Sequence, residues 1–180
     1  MKIVIGGSGY IGRHLCNYFS NKEDLLSGTF TSHPLKGLDY FNLENPNLET
    51  LGIDLKKADV LFLCSSICKI DECKRDENNA TRINIDGTKR VIEQCFEKKI
   101  LPVFFSSDYV FDGTKGNYTE EDMASPNTVY GTHKKIIEDF LMNSKQPFLI
   151  ARLSKIYGTK KEDGTYFNDI IKRLRNGEIL

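Results

Sequence analysis

Apolar residues in this chain come in short blocks, and the segments between the blocks carry apolar residues at three- and four-residue spacing. The first block, Lys2-Ile3-Val4-Ile5, runs straight into Gly6-Gly7-Ser8-Gly9-Tyr10-Ile11-Gly12. Ile11, Leu15, Tyr18 and Phe19 then fall on one helical stripe. The reading is strand, glycine turn, helix. Further blocks at residues 26–31, 38–43, 60–64, 101–105 and 148–153 predict five more strands. A polar turn at Asn45-Pro46-Asn47 precedes a short helix. A long helix is predicted from Thr81 through Val91, Ile92, Cys95 and Phe96. Lys98 and Lys99 close it, where cations complement the helix dipole. The charged stretch 71–79 reads as solvated. Another helix opens at Tyr130. Strands alternating with helices predict an α/β fold, a Rossmann-like doubly wound parallel sheet with helices on both faces.

Composition narrows this picture. A length of 180 residues suits one domain, and 39% hydrophobic with 28% charged residues supports a packed core. Lys and Arg total 25, as do Asp and Glu, so the formal net charge is zero. No half of the chain is polybasic, which argues against nucleic acid or an anionic membrane as partner. The apolar run at the N-terminus is too short for a signal sequence, and no stretch approaches a membrane span. A cytoplasmic location is expected. Five cysteines, Cys16, Cys64, Cys68, Cys73 and Cys95, form no C-x-x-C pair and have no histidine near the Cys64–Cys73 cluster. Reduced thiols are expected, and no metal site.

Three places carry chemistry. Gly6, Gly9 and Gly12 allow a tight turn, close approach of backbone to ligand and close helix packing. The helix that follows offers free N–H groups to a pyrophosphate. A plain chain-reversing turn is the simpler reading of one glycine-rich stretch. Its position between a strand and an amphipathic helix favours a dinucleotide site. Such sites place an acid for the adenosine ribose about 20 residues further on. Here the segment reads Thr29-Phe30-Thr31-Ser32-His33, with no acid and with Arg13 and Lys36 near by. That leans modestly toward a 2′-phosphate, hence NADPH over NADH. Small residues at Ser65 and Ser66 would let a cofactor lie across a strand tip.

The third place spans Ser106 to Lys134. Ser106 and Ser107 follow a buried strand. Tyr130, Lys134, Ile137 and Leu141 share one helical stripe, which sets a lysine on an inward face one turn from a phenol. A lysine snorkelling from the stripe's edge is the bland alternative. A phenol beside an ammonium is a workable acid, because the cation favours phenolate and brings the group toward neutrality. A serine hydroxyl at the strand end supplies a third contact for a carbonyl oxygen. His14 reads as a surface or packing residue.

Gly6-x-x-Gly9-x-x-Gly12, Asn84-Ile-Asp-Gly87-Thr88, Ser106-Ser107-Asp108-Tyr109-Val110-Phe111-Asp112-Gly113 and Tyr130-x-x-x-Lys134 together make a pattern. Tyr118-x-Glu120-x-Asp122-x-x-x-Pro126 and Arg152-Leu153-Ser154 with Tyr157-Gly158 extend it. Nearly the whole chain resembles the extended short-chain dehydrogenase/reductase family, and within it the dTDP-4-dehydrorhamnose reductase branch. The resemblance implies an NADPH-linked reductase of a nucleotide-activated 4-keto sugar. Tyr130 would protonate the ketone oxygen, Lys134 would lower the Tyr130 pKa and hold the nicotinamide ribose, and Ser107 would bind the same oxygen. Tyr10 and Ile11 would meet the pyrophosphate, and Asn42 and Leu43 the adenine. Cys64, Ser65, Ser66 and Ser106 would line the cofactor.

The chain departs from that family in Asn42, often Asp there, in Cys64-Ser65-Ser66 replacing an alanine-rich run, and in length. The family continues into a small domain that grips the nucleotide-sugar. Here that domain is expected to be mostly absent, with residues 160–180 its incomplete beginning. Phe167, Ile170, Ile171 and Leu174 form an amphipathic stripe whose uncovered face predicts self-association into a homo-oligomer. Two alternatives stay open. One is a dinucleotide-binding module or regulatory partner without turnover. The other is an epimerase or dehydratase; dehydratases carry an acidic pair beside the catalytic serine or threonine, of which Asp108 is a partial match.

Overall fold

The computed structural model describes residues 1–158 and 165–178. Six strands, β1 (Lys2–Ile5), β2 (Leu25–Phe30), β3 (Asp39–Tyr40), β4 (Val60–Leu63), β5 (Leu101–Ser107) and β6 (Leu149–Leu153), form one sheet. The order is β3-β2-β1-β4-β5-β6 and every neighbouring pair is parallel. β1 pairs with β4 from Lys2 opposite Val60 to Ile5 opposite Leu63. The two strands therefore end level, where the strand order reverses and a doubly wound sheet opens a crevice.

Helix α1 (Tyr10–Ser20) follows β1. Phe19 on α1 lies 5.3 Å from Phe62 of β4, and Phe62 stacks 6.4 Å from Phe105 of β5. The alternate residues Leu61, Leu63 and Phe104 point the other way. They join the buried core with Val91 and Ile92 of α4 (Thr88–Lys98) and Ile137 and Leu141 of α5 (Val129–Asn143). Helices thus cover both faces of the sheet. Early in the chain, Gly7 and Gly28 clear a slot that the Cys16 sulfur fills. A Cβ on either glycine would come within 2.8 Å or less of that sulfur.

The pattern-based boundaries shift where tertiary contacts override periodicity. The block 38–43 gives only a two-residue strand, because Phe41 and Leu43 turn away from the ladder into the core. The stretch 71–79 is two short helices, α2 (Ile70–Arg75) and α3 (Glu77–Thr81), anchored by buried Cys73 and Ala80. The helix predicted from Thr81 is broken by a π turn at Arg82–Gly87. Gly87 is pressed against Leu43, where a Cβ would overlap the Leu43 carbonyl oxygen. Strand β5 runs two residues past its apolar block, to Ser107. Helix α6 (Tyr166–Arg175) carries half-exposed Ile171 and Leu174. Residues 159–164 and 179–180 of the expected substrate-domain segment lie outside the described residues. Among the described residues, no helix is long and apolar enough to cross a membrane.

Candidate active site

A cavity of about 520 Å³ opens at the carboxyl ends of the strands, a size suited to a small-molecule or cofactor site. Its first wall is the glycine turn. Gly6 takes φ +85°, a left-handed conformation open to glycine, and a Cβ there would come within 2.8 Å of the Ser65 nitrogen. Turn and β4 loop are thus in backbone contact. Gly12 lets α1 settle onto the turn, where a Cβ would overlap the Gly6 carbonyl oxygen. No side chain caps α1 at Gly9, so its first-turn amides are left for a ligand.

The opposite wall is α5 with the end of β5. Thr128 caps α5, its Oγ1 accepting the Gly131 N–H at 3.0 Å. Gly131 packs directly on the Tyr109 carbonyl. This seats Tyr130 edge-on to Tyr109, with ring centroids 6.1 Å apart. One turn on, Lys134 is 7% exposed. Its Nζ donates to the Phe105 carbonyl at 2.8 Å and lies over the rings of Phe104 and Tyr130 at 4.7 and 5.5 Å. Another turn on, Glu138 is 1% exposed and takes both arms of Arg152 from β6, at 2.9 and 2.7 Å.

Burial pushes the Lys134 ammonium down to about 8, against the pull of the nearby thiols of Cys68, Cys64 and Cys73 and of the Glu138 carboxylate. Burial also pushes the Tyr130 phenol well above its usual value; Cys68 adds to the shift and a hydrogen bond with Ser107 opposes it. On balance the Tyr130 phenol is raised, with burial the largest cause. Tyr130 is thus a neutral donor, and Lys134 the softened cation beside it.

The two serines differ. Ser107 Oγ donates to Asp108 Oδ1 at 3.1 Å and accepts the Tyr109 N–H at 3.3 Å, capping the turn that follows β5. Ser106 is 3% exposed, and its Oγ has no hydrogen-bond partner among the described residues. A buried hydroxyl on the cavity lining with nothing to bind is a position a ligand would satisfy. With the uncapped α1 and the glycine cradle, it makes this cavity fit a dinucleotide.

Gly6, Gly9, Tyr10, Ile11, Thr31, Cys64, Ser65, Ser66, Ser106, Ser107, Tyr130 and Lys134 all line the one cavity. Gly12 lies just behind it, buried against the turn. Arg13, Asn42 and Leu43 are not part of the lining. Asn42 bonds Glu44 within its own turn, and Leu43 is in the core. Periodicity missed Tyr109 and Cys68, which also line the cavity. Tyr109 could have been found as the aromatic in the turn after Ser107. Cys68 carries no signal beyond its place in the loop after β4.

The strand order and a cavity at the carboxyl ends define a Rossmann-like α/β protein of the extended short-chain dehydrogenase/reductase type. Within that class the chain belongs to the RmlD substrate binding domain family, which matches residues 1–179. It is 27% identical over 99% of its length to a dTDP-4-dehydrorhamnose reductase from Aggregatibacter actinomycetemcomitans, covering 58% of that protein. It is 24% identical over 87% of its length to methionine adenosyltransferase 2 subunit beta from Pongo abelii, covering 47% of it. A solved structure of a hypothetical dTDP-4-dehydrorhamnose reductase from Sulfolobus tokodaii superposes with a TM-score of 0.85 at 28% identity, covering 100% of this chain and 64% of that one. The chain thus spans roughly half to two-thirds of the length of these relatives.

Proposed function

We propose that this chain is the dinucleotide-binding and catalytic part of an NADPH-dependent reductase acting on a nucleotide-activated 4-keto sugar, as in dTDP-rhamnose synthesis. The observation that carries the reading is the convergence of Ser107, Tyr130 and Lys134 on the cavity that the glycine turn opens. The nicotinamide would supply the hydride. Tyr130 would give its phenolic proton to the ketone oxygen that becomes the alcohol, and Ser107 would hold that oxygen. Lys134 would hold the nicotinamide ribose and stabilise the phenolate left behind. The first-turn amides of α1 would take the pyrophosphate, and Ser106 would satisfy its hydroxyl on the cofactor. The absence of an acid after β2, at Thr31-Ser32-His33, favours NADPH over NADH. Residues 1–180 form one domain on this reading, acting in the cytoplasm.

The relation to a methionine adenosyltransferase beta subunit supports a second reading, a dinucleotide-binding partner of another protein without turnover of its own. One experiment separates the two. Fluorescence titration with NADPH and NADH, followed by NADPH oxidation with a 4-keto-6-deoxy sugar nucleotide, is run on the wild type and on Tyr130→Phe. The reductase reading expects NADPH binding at least as tight as NADH binding. It also expects turnover that Tyr130→Phe lowers by about 100- to 10,000-fold with little change in NADPH affinity. Binding without turnover, both in this chain and in a longer protein that completes the sugar-binding half, favours the partner reading, and no binding of either dinucleotide defeats both.

A further inference from the structure

Besides Glu138, which pairs with Arg152, the mechanism leaves one buried polar side chain on α5 unused. His133 precedes Lys134 and points away from the cavity, into the protein. It is 4% exposed, and its two ring nitrogens meet two different partners. Nδ1 lies 3.4 Å from Asn84 Nδ2, and Nε2 lies 3.4 Å from Thr81 Oγ1.

Asn84 fixes the direction of these bonds. Its Oδ1 accepts the Ile67 N–H at 2.8 Å, and its Nδ2 donates to the Ile67 carbonyl at 2.9 Å. Only one orientation of the amide satisfies both, so the group facing His133 is a donor. His133 Nδ1 must then accept, and Nε2 carries the proton toward Thr81. Burial lowers the ring's pKa, Glu77 opposes this, and the Lys134 ammonium adds to it. The ring is therefore neutral at physiological pH, as this tautomer needs.

The chain of contacts runs from α5 to the π turn to the loop after β4. That loop, residues 64–69, forms the cavity wall at Cys64, Ser65, Ser66 and Cys68. It also lies in backbone contact with Gly6, so a displacement of a few tenths of an ångström would reach the glycine turn. Asn84 lies within the π turn. Single π turns of this kind recur where a helix carries a side chain to a functional position.

We propose that His133 is a positioning residue: through Asn84 it holds the loop 64–69 at a fixed distance from the Tyr130–Lys134 helix and so sets the width of the dinucleotide cavity. The importance of that width rests on the function proposed above; the mechanical link does not. Nothing in the Tyr-x-x-x-Lys pattern calls for a histidine at this position.

Amide hydrogen exchange on the ligand-free chain tests the link, and NADPH titration tests its consequence. Asn84→Ala and His133→Leu are each expected to speed exchange at Ile67 and its neighbours by about tenfold and to weaken NADPH binding by a similar factor. His133→Gln keeps one acceptor and one donor and is expected to restore both to within about threefold of wild type. If His133→Leu does not fold, Thr81→Val removes only the far anchor of the ring, and faster exchange at Ile67 is expected there too. Wild-type exchange in a folded His133→Leu or in Thr81→Val overturns the proposal. So does an effect of His133→Leu that His133→Gln fails to reverse. A wild-type chain that binds no dinucleotide defeats the proposed function, and the exchange measurements still decide the link.

Discussion

The two walls of the cavity are built from different materials. The wall at Gly6 to Gly12 is backbone packed on backbone: Gly6 against Ser65, and Gly12 against the Gly6 carbonyl. The wall at α5 is polar side chains withdrawn from water: Lys134, Ser106 and Ser107 on the cavity, with His133 and Glu138 behind them. The first kind excludes added volume and gives a ligand amides and space. The second holds charge and protons, and it needs every partner in place. The first wall should therefore fail when an atom is added. The second should fail when a partner is removed, and parts of it should gain stability when the functional group itself is deleted.

The largest expected effect lies in the second wall. Arg152→Met leaves the Glu138 carboxylate buried without its cation, a change that costs about 3–5 kcal/mol. In a chain of this size that is a fall in Tm of roughly 10 °C, read by calorimetry. Unchanged melting would show that the buried Glu138 does not depend on Arg152. Next is Gly12→Ala in the first wall. Its methyl meets the Gly6–Gly7 backbone, and a loss of about 3 kcal/mol is expected, with NADPH binding abolished. Binding within twofold of wild type would show that the turn yields and the wall is not rigid.

Lys134→Met should act in the opposite direction. Deleting the buried ammonium is expected to raise stability by about 1–2 kcal/mol while lowering turnover by at least about 100-fold. The pH dependence gives the sign. The native Lys134 pKa, about 8, lies below the usual lysine value of 10.5, so the burial penalty is fully present below pH 8. It is relieved as pH rises toward the unfolded value, because the native state loses its proton first. Wild type should therefore gain stability relative to Lys134→Met across that window, as denaturant titrations at matched pH would read. A constant difference would mean that the lysine is not desolvated as its surroundings imply. The smallest effect is Ser106→Ala. Removing an unpartnered buried hydroxyl is expected to stabilise the free protein by about 0.5 kcal/mol and to weaken NADPH binding by a few-fold. Affinity equal to wild type would mean that no ligand atom reaches this serine.

The same contrast explains what could be read from the sequence. The first wall was legible because glycine spacing is local. Gly6 and Gly12 each answer a steric demand made by residues close in the chain or by the β4 loop that meets them. The Tyr130–Lys134 stripe was legible for the same reason, since one turn of helix fixes their separation. What Lys134 touches was not. Its partner, the Phe105 carbonyl, comes from a strand 29 residues earlier. The raised Tyr130 pKa follows from desolvation, which only the closed fold supplies. The π turn was read as ordinary helix because apolar spacing does not report a single wide turn, and Asn84 and His133 meet across 49 residues. Asn42 and Leu43 reached the cofactor by resemblance alone, and here they serve a turn and the core.

The slot shared by Cys16, Gly7 and Gly28 bears on how this sequence can drift. Gly28 cannot gain a methyl while the Cys16 sulfur occupies the slot, since a Cβ there would lie 2.6 Å from that sulfur and 2.7 Å from the flexible tip of Leu38. Once Cys16 has become Ala, much of that obstacle is gone. The order of events then decides their fate. Gly28→Ala is expected to be deleterious on the present background and milder after Cys16→Ala, with only the Leu38 tip left to move, so this corner of the fold carries a ratchet in which one substitution opens the way for the next. Comparing the two single changes with the double would measure that epistasis directly.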